Sequence, residues 1–249
     1  MMQLINGDCL EKLGGVQSAS IDLILTDLPY GITRNKWDSV IPLDKLWKQY
    51  TRIIKPSGAI ALFGAGLFGA KLMLSAPKSC PFRYEWIWEK TNPTGFLNAK
   101  RMPLKTHENV YIFYKKLPKY NPQFTKGKPY KSRNHHNSSN YGSYKKNYLT
   151  INNGIRYPRD VLKISNVGYT KQHPTQKPTE ILEYLIKTYT DEGDLVLDST
   201  MGSGSTGVAA INTNRDFIGI ELDNNYFEIA ERRINEAYKS RLHDCTKEY

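Results

Sequence analysis

The apolar residues of this chain follow two patterns that alternate along its length. Short apolar runs bounded by glycine, proline or polar residues predict seven β-strands. These predicted strands are Met2–Ile5, Ile21–Leu25, Ala59–Phe63, Tyr84–Lys90, His107–Tyr114, Leu195–Leu197 and Phe217–Ile220. Between them, apolar residues recur at helical spacing and predict helices near 10–13, 42–54, 67–75, 179–189 and 225–240, and one that ends near 212. This order favours an α/β fold with a doubly wound, mostly parallel sheet covered on both faces.

Four of the predicted strands are followed by an acidic residue, namely Asp8, Asp27, Asp198 or Glu221. Ligands of such sheets bind beyond the carboxyl ends of the strands, so four acids at these ends favour a binding site there. The most unusual of the four ends is Asp27-Leu28-Pro29-Tyr30, because the proline stops strand pairing and leaves the acid uncovered. Taken alone, this tetrapeptide fits a plain exit from a strand as well as it fits a functional site.

The positive charge of the protein is concentrated in one segment. The formal net charge is +11, and residues 115–177 contain 14 lysines and arginines against one acid, Asp160, which gives +13 there and 11 − 13 = −2 elsewhere. Residues 115–170 are also rich in asparagine, serine and tyrosine, which predicts an inserted recognition region between a first half (1–114) and a second half (171–249) of one domain.

Basic and aromatic residues interleaved in this way suit phosphates and unstacked bases respectively. The candidate nucleic-acid-binding residues are Lys126, Lys128, Lys131, Arg133, Lys145 and Lys146. A solvated loop excursion is the alternative interpretation of the same composition.

Membrane, metal and disulfide functions are not indicated by the sequence. No apolar run approaches the ~20 residues needed to span a bilayer, and the N-terminus has no secretion signal, so we expect no membrane partner. The three cysteines (Cys9, Cys80 and Cys245) have no Cys-x-x-Cys spacing, which favours reduced thiols and a cytoplasmic location. The pair His135-His136 has no other candidate ligands, so we expect no metal site.

A glycine-rich turn, Gly202-Ser203-Gly204-Ser205-Thr206-Gly207, lies between a predicted strand and a helix. It matches the G-x-G-x-x-G pattern, in which glycines let the backbone approach a ligand. Glu221, at the end of the next strand, could accept hydrogen bonds from ribose hydroxyls. The pattern therefore indicates a nucleoside-bearing cofactor without identifying it, and a nicotinamide cofactor or a simple tight turn also fits. The position of the turn late in the chain, behind the basic insert, is unusual for a dehydrogenase.

The tetrapeptide Asp27-Leu28-Pro29-Tyr30, combined with Asp198 and the glycine turn, resembles the amino-group DNA methyltransferases that use S-adenosylmethionine. The order of the motifs is similar to the beta arrangement of that family, with the catalytic motif first, the target-recognition region in the middle and the cofactor turn last. Gly7-Asp8-Cys9 and His173-Pro174-Thr175-Gln176-Lys177-Pro178 are similar to further motifs of the family. Two positions differ from the family pattern, because Leu28 replaces a proline and Thr200 replaces a phenylalanine.

The resemblance implies a class I methyltransferase fold in permuted order, with a seven-stranded sheet, and roles for individual residues. The implied catalytic residues are Asp27, Leu28, Pro29 and Tyr30, in which Asp27 and the Leu28 carbonyl accept the amino hydrogens and Tyr30 stacks on the flipped base. The implied cofactor-binding residues are Asp8, Cys9, Asp27, Thr175, Lys177, Asp198, Thr200, Gly202, Ser203, Gly204, Thr206, Glu221 and Leu222.

The implied activity is site-specific methylation of adenine N6 in double-stranded DNA, of the restriction-modification, orphan or phage type. An aspartate at the head of the tetrapeptide favours adenine. The alternatives are cytosine-N4 methylation, an RNA substrate, a nicotinamide-dependent oxidoreductase built on the Gly202 turn, and an inactive nucleic-acid-binding module. The oligomeric state stays open, with a homodimer as one option.

Two further pairs of charged residues favour a structural role over a catalytic one. We expect His107-Glu108 to be satisfied by neighbours at the start of a strand, in preference to an acid-base pair. We expect Arg232-Arg233 to lie on a solvated face of the last helix.

Overall fold

The structure is a computed structural model that describes residues 1–31, 40–134, 148–167 and 176–245. These residues form two compact units, one of residues 1–121 and 160–249 and one of residues 122–159. The second unit lies inside the predicted insert 115–170, and the residues on either side of it belong to the first unit.

The first unit is built on one sheet of eight strands, one more than the seven predicted. Its strands are β1 (Met2–Asn6), β2 (Ile21–Thr26), β3 (Ile54–Gly64), β4 (Phe82–Thr94), β5 (Lys105–Phe113), β10 (Val161–Ile164), β11 (Leu195–Asp198) and β12 (Asp216–Glu221). Their order is β1-β12-β11-β2-β3-β5-β4-β10. Only β5 runs antiparallel to its neighbours, so the predicted mostly parallel α/β fold is confirmed.

The additional strand is β10, which comes from the segment predicted to be part of the insert. It pairs in parallel with residues 87–90 of β4. Its last residue, Ile164, is buried, and the Ile164 carbonyl accepts a hydrogen bond of 2.9 Å from the indole Nε1 of Trp88. The strand was missed because its short pattern, Val-Leu-Lys-Ile, stands in a strongly basic context.

Six α-helices are present in the described part of the chain. They are α1 (Cys9–Lys12), α2 (Leu43–Ile53), α3 (Gly66–Ser75), α4 (Thr179–Tyr189), α5 (Ser205–Asn212) and α6 (Asn224–Cys245). No described helix is long and apolar enough to cross a membrane.

The helices cover both faces of the sheet because its central strands are buried on both sides. In β2, Leu23 and Leu25 belong to one apolar cluster and Ile24 to the other. The first cluster includes side chains of α4, α5 and α6, among them Leu185, Ala209 and Ile234. The second includes Leu13, Trp47 of α2 and Leu72 of α3.

The unit of residues 122–159 consists of short antiparallel strands. They are β6 (Thr125–Lys126), β7 (Tyr130–Asn134), β8 (Tyr148–Asn152) and β9 (Ile155–Arg156), with β6 paired to β9 and β7 to β8. Its side-chain contacts include an aromatic pair and a cation–π pair. The Phe124 and Tyr157 rings meet edge to face with their centroids 4.9 Å apart, and the Arg156 guanidinium lies 4.7 Å from the Tyr130 ring centroid. Most of its described apolar side chains are exposed, including Leu149, Ile151 and Ile155.

Candidate active site

A cavity of about 500 Å³ opens at the carboxyl ends of β1, β12, β11 and β2, which are adjacent in the sheet. Most of the residues predicted for the site line this cavity. They are Asp8, Cys9, Asp27, Leu28, Pro29, Tyr30, Lys177, Asp198, Thr200, Gly202, Ser203, Thr206, Glu221 and Leu222. Gly204 is not among the lining residues. Thr175, Lys145, Lys146 and the pair His135-His136 lie outside the described residues.

The carboxylate of Asp27 is held at both of its oxygens. The Tyr30 hydroxyl donates a hydrogen bond of 3.0 Å to Oδ1, and the ammonium group of Lys177 forms an ion pair with Oδ2. Burial raises the pKa of the Asp27 carboxyl, and Lys177 and Tyr30 oppose this rise. Since each carboxylate oxygen has two lone pairs, both oxygens retain the capacity to accept a further hydrogen bond from a ligand.

Thr200, which stands where the family pattern has phenylalanine, connects the Gly202 turn to the Asp27 loop. Its hydroxyl donates a hydrogen bond of 3.1 Å to the Asp27 carbonyl oxygen and lies 2.8 Å from the Thr26 hydroxyl. Thr26 in turn donates a hydrogen bond of 2.6 Å to Asp198 Oδ1. The threonine therefore supplies hydrogen bonds that a phenylalanine could not make.

Leu28, which replaces the proline of the family pattern, is a core residue. Its side chain is only 2% exposed and belongs to the apolar cluster that contains Phe68. Two residues later, the Tyr30 ring stacks on Phe68 with a centroid distance of 4.6 Å and an interplanar angle of 23°. The tetrapeptide is thus anchored by apolar packing, where a proline would instead have restricted its backbone.

Glu108 and Lys90 also line the cavity, although no functional role was predicted for either. Lys177 lies between Asp27 and Glu108, with its Nζ 3.1 Å from Glu108 Oε2, and Lys90 forms a second ion pair with Glu108. Burial alone would raise the pKa of Glu108, but the two ammonium groups lower it below its usual value. Burial alone would lower the pKa of Lys177, but the two carboxylates raise it. Lys177 therefore links the Asp27 and Glu108 carboxylates, and Lys90 adds a second cation at Glu108.

These ion pairs agree with the prediction that neighbouring side chains pair with Glu108. The prediction did not include the position of Glu108 in the lining of the cavity. This position is set by the register of two paired strands. In the antiparallel pair of β4 and β5, Glu108 lies opposite Trp88, two residues from Lys90. That register depends on the pairing of two strands whose ends are irregular, so the sequence alone did not give it.

Glu221 and Asp198 occupy the part of the cavity formed by the Gly202 turn. The backbone N–H groups of Gly202 and Asp223 donate hydrogen bonds of 2.8 Å and 2.9 Å to the two carboxylate oxygens of Glu221. Asp198 accepts a bond of 3.1 Å from the Thr200 N–H, and burial raises the pKa of Asp198 to about 6. Next to Glu221, just after the end of β1, Asp8 caps α1 by accepting a bond of 2.7 Å from the Leu10 N–H.

The solvated position expected for Arg233 is wrong. Its guanidinium donates to the Ser203 carbonyl oxygen, and lies 3.0 Å from Ser203 Oγ and 3.3 Å from Ser205 Oγ. It therefore braces the glycine turn from α6. Arg232, in contrast, is exposed.

Gly204 contributes to the turn through close packing. Its φ is +78°, and a Cβ at this position would lie 2.9 Å from the Ala230 Cβ of α6. A glycine is required here because an L side chain disfavours this backbone conformation and would also collide with the helix.

The described basic candidates for nucleic-acid binding, Lys126, Lys128, Lys131 and Arg133, are all exposed on the unit of residues 122–159. Lys131 and Arg133 are two residues apart on β7 and so share one face of that strand.

Comparison with known proteins identifies relatives across almost the whole chain. A family model described as DNA methylase, for N6 and N4 methyltransferases, matches residues 21–232. Type II methyltransferase M.BglII of Bacillus subtilis is 30% identical over 250 residues, which cover 92% of this chain and 67% of that protein. DNA adenine methyltransferase YhdJ of Escherichia coli K12 is 27% identical over 247 residues, which cover 94% of this chain and 83% of that protein.

Solved structures give the same result for the fold. The M1.HpyAVI–SAM complex superposes with a TM-score of 0.65 at 26% identity, over 94% of this chain and all of that one. The cytosine-N4-specific PvuII DNA methyltransferase superposes with a TM-score of 0.68 at 18% identity, over 96% of this chain and 91% of that one, a likeness of fold alone.

Proposed function

The chain belongs to the N6/N4 DNA methylase family, whose cofactor is S-adenosylmethionine, and from this premise we propose that it methylates adenine N6 at a specific site in double-stranded DNA. The observation that carries the proposal is the Asp27 carboxylate, held by Tyr30 and Lys177 in the cavity that also contains the glycine turn and Glu221. The name of the adenine methyltransferase YhdJ and the aspartate at the head of the tetrapeptide support adenine over cytosine.

The described residues of the cavity fit S-adenosylmethionine. A volume of about 500 Å³ is within the usual range for small-molecule sites. The lining includes the carboxylates of Asp8, Asp198 and Glu221, which suit a ligand with a positive sulfur, an ammonium group and ribose hydroxyls. Backbone N–H groups hold the Glu221 carboxylate and use only part of its four lone pairs, so it can still accept a hydrogen bond from a ribose hydroxyl.

We assign the binding of the target amine to Asp27 and the backbone carbonyl of Leu28. When bound, S-adenosylmethionine supplies a methyl group on a positively charged sulfur. The lone pair of an exocyclic amine is delocalised into its ring, and two acceptors for the amino hydrogens free it and stabilise the positive charge that develops on nitrogen. Lys177 and Tyr30 hold the carboxylate, so this acceptor is preorganised, and the hydrogen bond from the Thr200 hydroxyl to the Asp27 carbonyl fixes the peptide that precedes the Leu28 carbonyl.

The position of the base follows from the same residues. A base inside a duplex cannot reach the cavity, so it must be flipped out of the helix. Phe68 supports one face of Tyr30, and Tyr30 lines the cavity, which gives the base a rigid aromatic ring to stack on. Holding amine and methyl group in line contributes roughly 7–11 kcal/mol in comparable intramolecular reactions.

The test is to incubate the purified protein with unmethylated double-stranded DNA and methyl-labelled S-adenosylmethionine, digest the DNA and identify the labelled nucleoside. We expect the label on adenine N6. Label on cytosine N4 would reverse the choice of base, and transfer to RNA in a parallel reaction would reverse the choice of polymer. No label in either polymer would refute the proposal.

A pair of variants tests the role of Asp27. We expect Asp27→Ala to abolish methyl transfer while it retains affinity for DNA, since the exposed basic residues are unchanged. The matched control is Asp44→Ala, at an exposed position in the first turn of α2, and we expect it to transfer at the wild-type rate. Near-normal transfer by Asp27→Ala would contradict the assignment.

A further inference from the structure

The hairpin that joins β4 to β5, residues 94–105, is an ordered projection of the first unit. Its base is the pair Thr94 and Lys105. Its tip is a short 3-10 helix, Phe96–Asn98, and the backbone N–H groups of Arg101 and Met102 both donate to the Asn98 carbonyl, at 2.8 Å and 3.0 Å. These bonds give the tip one defined shape.

The tip exposes three large apolar side chains within seven residues. Phe96 is 67% exposed, Leu97 is fully exposed and Met102 is 53% exposed. Single exposed apolar residues are common on protein surfaces, but a cluster on an ordered projection marks a surface that binds something.

The surroundings of the tip indicate which class of molecule it binds. Lys100, Arg101 and Lys105 lie in the hairpin, and residues 91–106 contain no acid. Thr94 and Lys105, at the base of the hairpin, line the same cavity as Asp27. The hairpin thus combines apolar side chains with flanking cations at the rim of a site for a nucleobase. A DNA duplex with one base removed from its stack offers the complementary groups, namely an apolar gap between bases and phosphates beside it.

We propose that the 94–105 hairpin is a wedge that enters DNA as the target base leaves it, an inference that rests on the proposed function. Phe96 and Leu97 fill the space vacated in the base stack, and Lys100 and Arg101 bind the phosphates beside it. Apolar side chains of other DNA-bending proteins enter base steps in a similar way. The wedge lowers the cost of holding the base outside the helix, because the vacated space is filled by apolar groups instead of water.

The test compares two substrates that differ only in the cost of flipping the base. Both are oligonucleotide duplexes carrying a site that the wild-type protein methylates. In one the target base is paired, and in the other it faces an abasic position, so that most of the unpairing has already occurred. We expect Leu97→Ala and Phe96→Ala to lower kcat/KM roughly 10- to 100-fold on the paired duplex, which corresponds to the loss of one buried apolar side chain. On the abasic duplex we expect a loss of less than about threefold, because little unpairing is left to assist.

The matched control is Leu74→Ala, which truncates another highly exposed leucine (87%) on α3, outside the residues that line the cavity. We expect it to behave as wild type on both duplexes. The double variant Lys100→Ala/Arg101→Ala should weaken binding to both duplexes by the same factor, because phosphate contacts do not depend on pairing of the target.

The outcomes separate the wedge from the proposed function. Equal losses on the two duplexes, or wild-type rates for Leu97→Ala and Phe96→Ala on the paired duplex, would overturn the wedge while leaving the methyltransferase intact. Failure of the wild-type protein to methylate any DNA would instead overturn the proposed function itself.

Discussion

The buried charge cluster of Asp27, Lys177, Glu108 and Lys90 gives the sharpest prediction, through the variant Lys177→Met. Methionine approximates the length and apolar stem of lysine and removes only the charged end. The Lys177 side chain is 10% exposed, and its ammonium group lies between two carboxylates and 5.0 Å from the Phe63 ring centroid. Without it, Asp27 and Glu108 face each other with no cation between them.

The size of the effect follows from the geometry. A unit charge pair at the 3.1 Å that separates Lys177 from Glu108 interacts by about 5 kcal/mol at an effective dielectric constant of about 20. Removal of one partner from a buried ion pair typically costs about 3–5 kcal/mol, because the other charge stays buried. We therefore expect Lys177→Met to lower the free energy of unfolding by about 3–5 kcal/mol near pH 8.

The pH dependence supplies a second signature. In the variant, the pKa values of the Asp27 and Glu108 carboxyls in the folded state should rise above their values in the unfolded chain. The folded state then binds more protons than the unfolded state between those pKa values, so the stability of the variant relative to wild type should recover as the pH falls from about 8 to about 5.

The measurement is urea unfolding at both pH values, with Lys55→Met as the matched control. Lys55 pairs with Asp22 at 2.7 Å, but its side chain is 40% exposed, so we expect its loss to cost less than about 1 kcal/mol at either pH. A loss for Lys177→Met no larger than that of the control, or one that does not shrink at the lower pH, would refute the description of this cluster as a buried ionic network.

Three other predictions address the glycine turn, the cofactor site and the unit of residues 122–159. Gly204→Ala should lower the free energy of unfolding, measured in urea, by about 2–3 kcal/mol, because backbone strain and a clash with α6 add together. The control Gly66→Ala has a φ of +55° but open space around it, so it should cost only about 1 kcal/mol. Affinity for S-adenosylmethionine, measured by calorimetry, should fall as the pH drops through about 6, because the Asp198 carboxyl then becomes neutral. Equal affinity on both sides of that pH would contradict the cofactor-binding role assigned to Asp198. The double variant Lys131→Ala/Arg133→Ala should weaken binding of DNA of any sequence and reduce the slope of log K against log salt by about 1.8, and an unchanged slope would show that these residues do not bind phosphates.

The fold class and the place of the strand-end acids in one cavity could be predicted from the sequence, because both follow from local patterns. Buried strands are continuous apolar runs, and parallel strands bring their carboxyl ends to one edge of the sheet whatever the details of packing. Asp8, Asp27, Asp198 and Glu221 therefore could be placed at one site from their positions after predicted strands. Their roles toward cofactor and base stay predictions.

The contacts that depend on long-range pairing could be seen only in the tertiary structure. The register of β4 against β5 brings Glu108 and Lys90 to Lys177, and the crossing of α6 over the glycine turn brings Arg233 to Ser203. The two departures from the family pattern also needed coordinates, since only the fold shows that Leu28 is a core residue and that Thr200 bonds to the Asp27 carbonyl. Ion pairs and hydrogen bonds act over a few ångströms between residues that are up to 215 positions apart in the chain, and such distances are set by packing and not by local sequence.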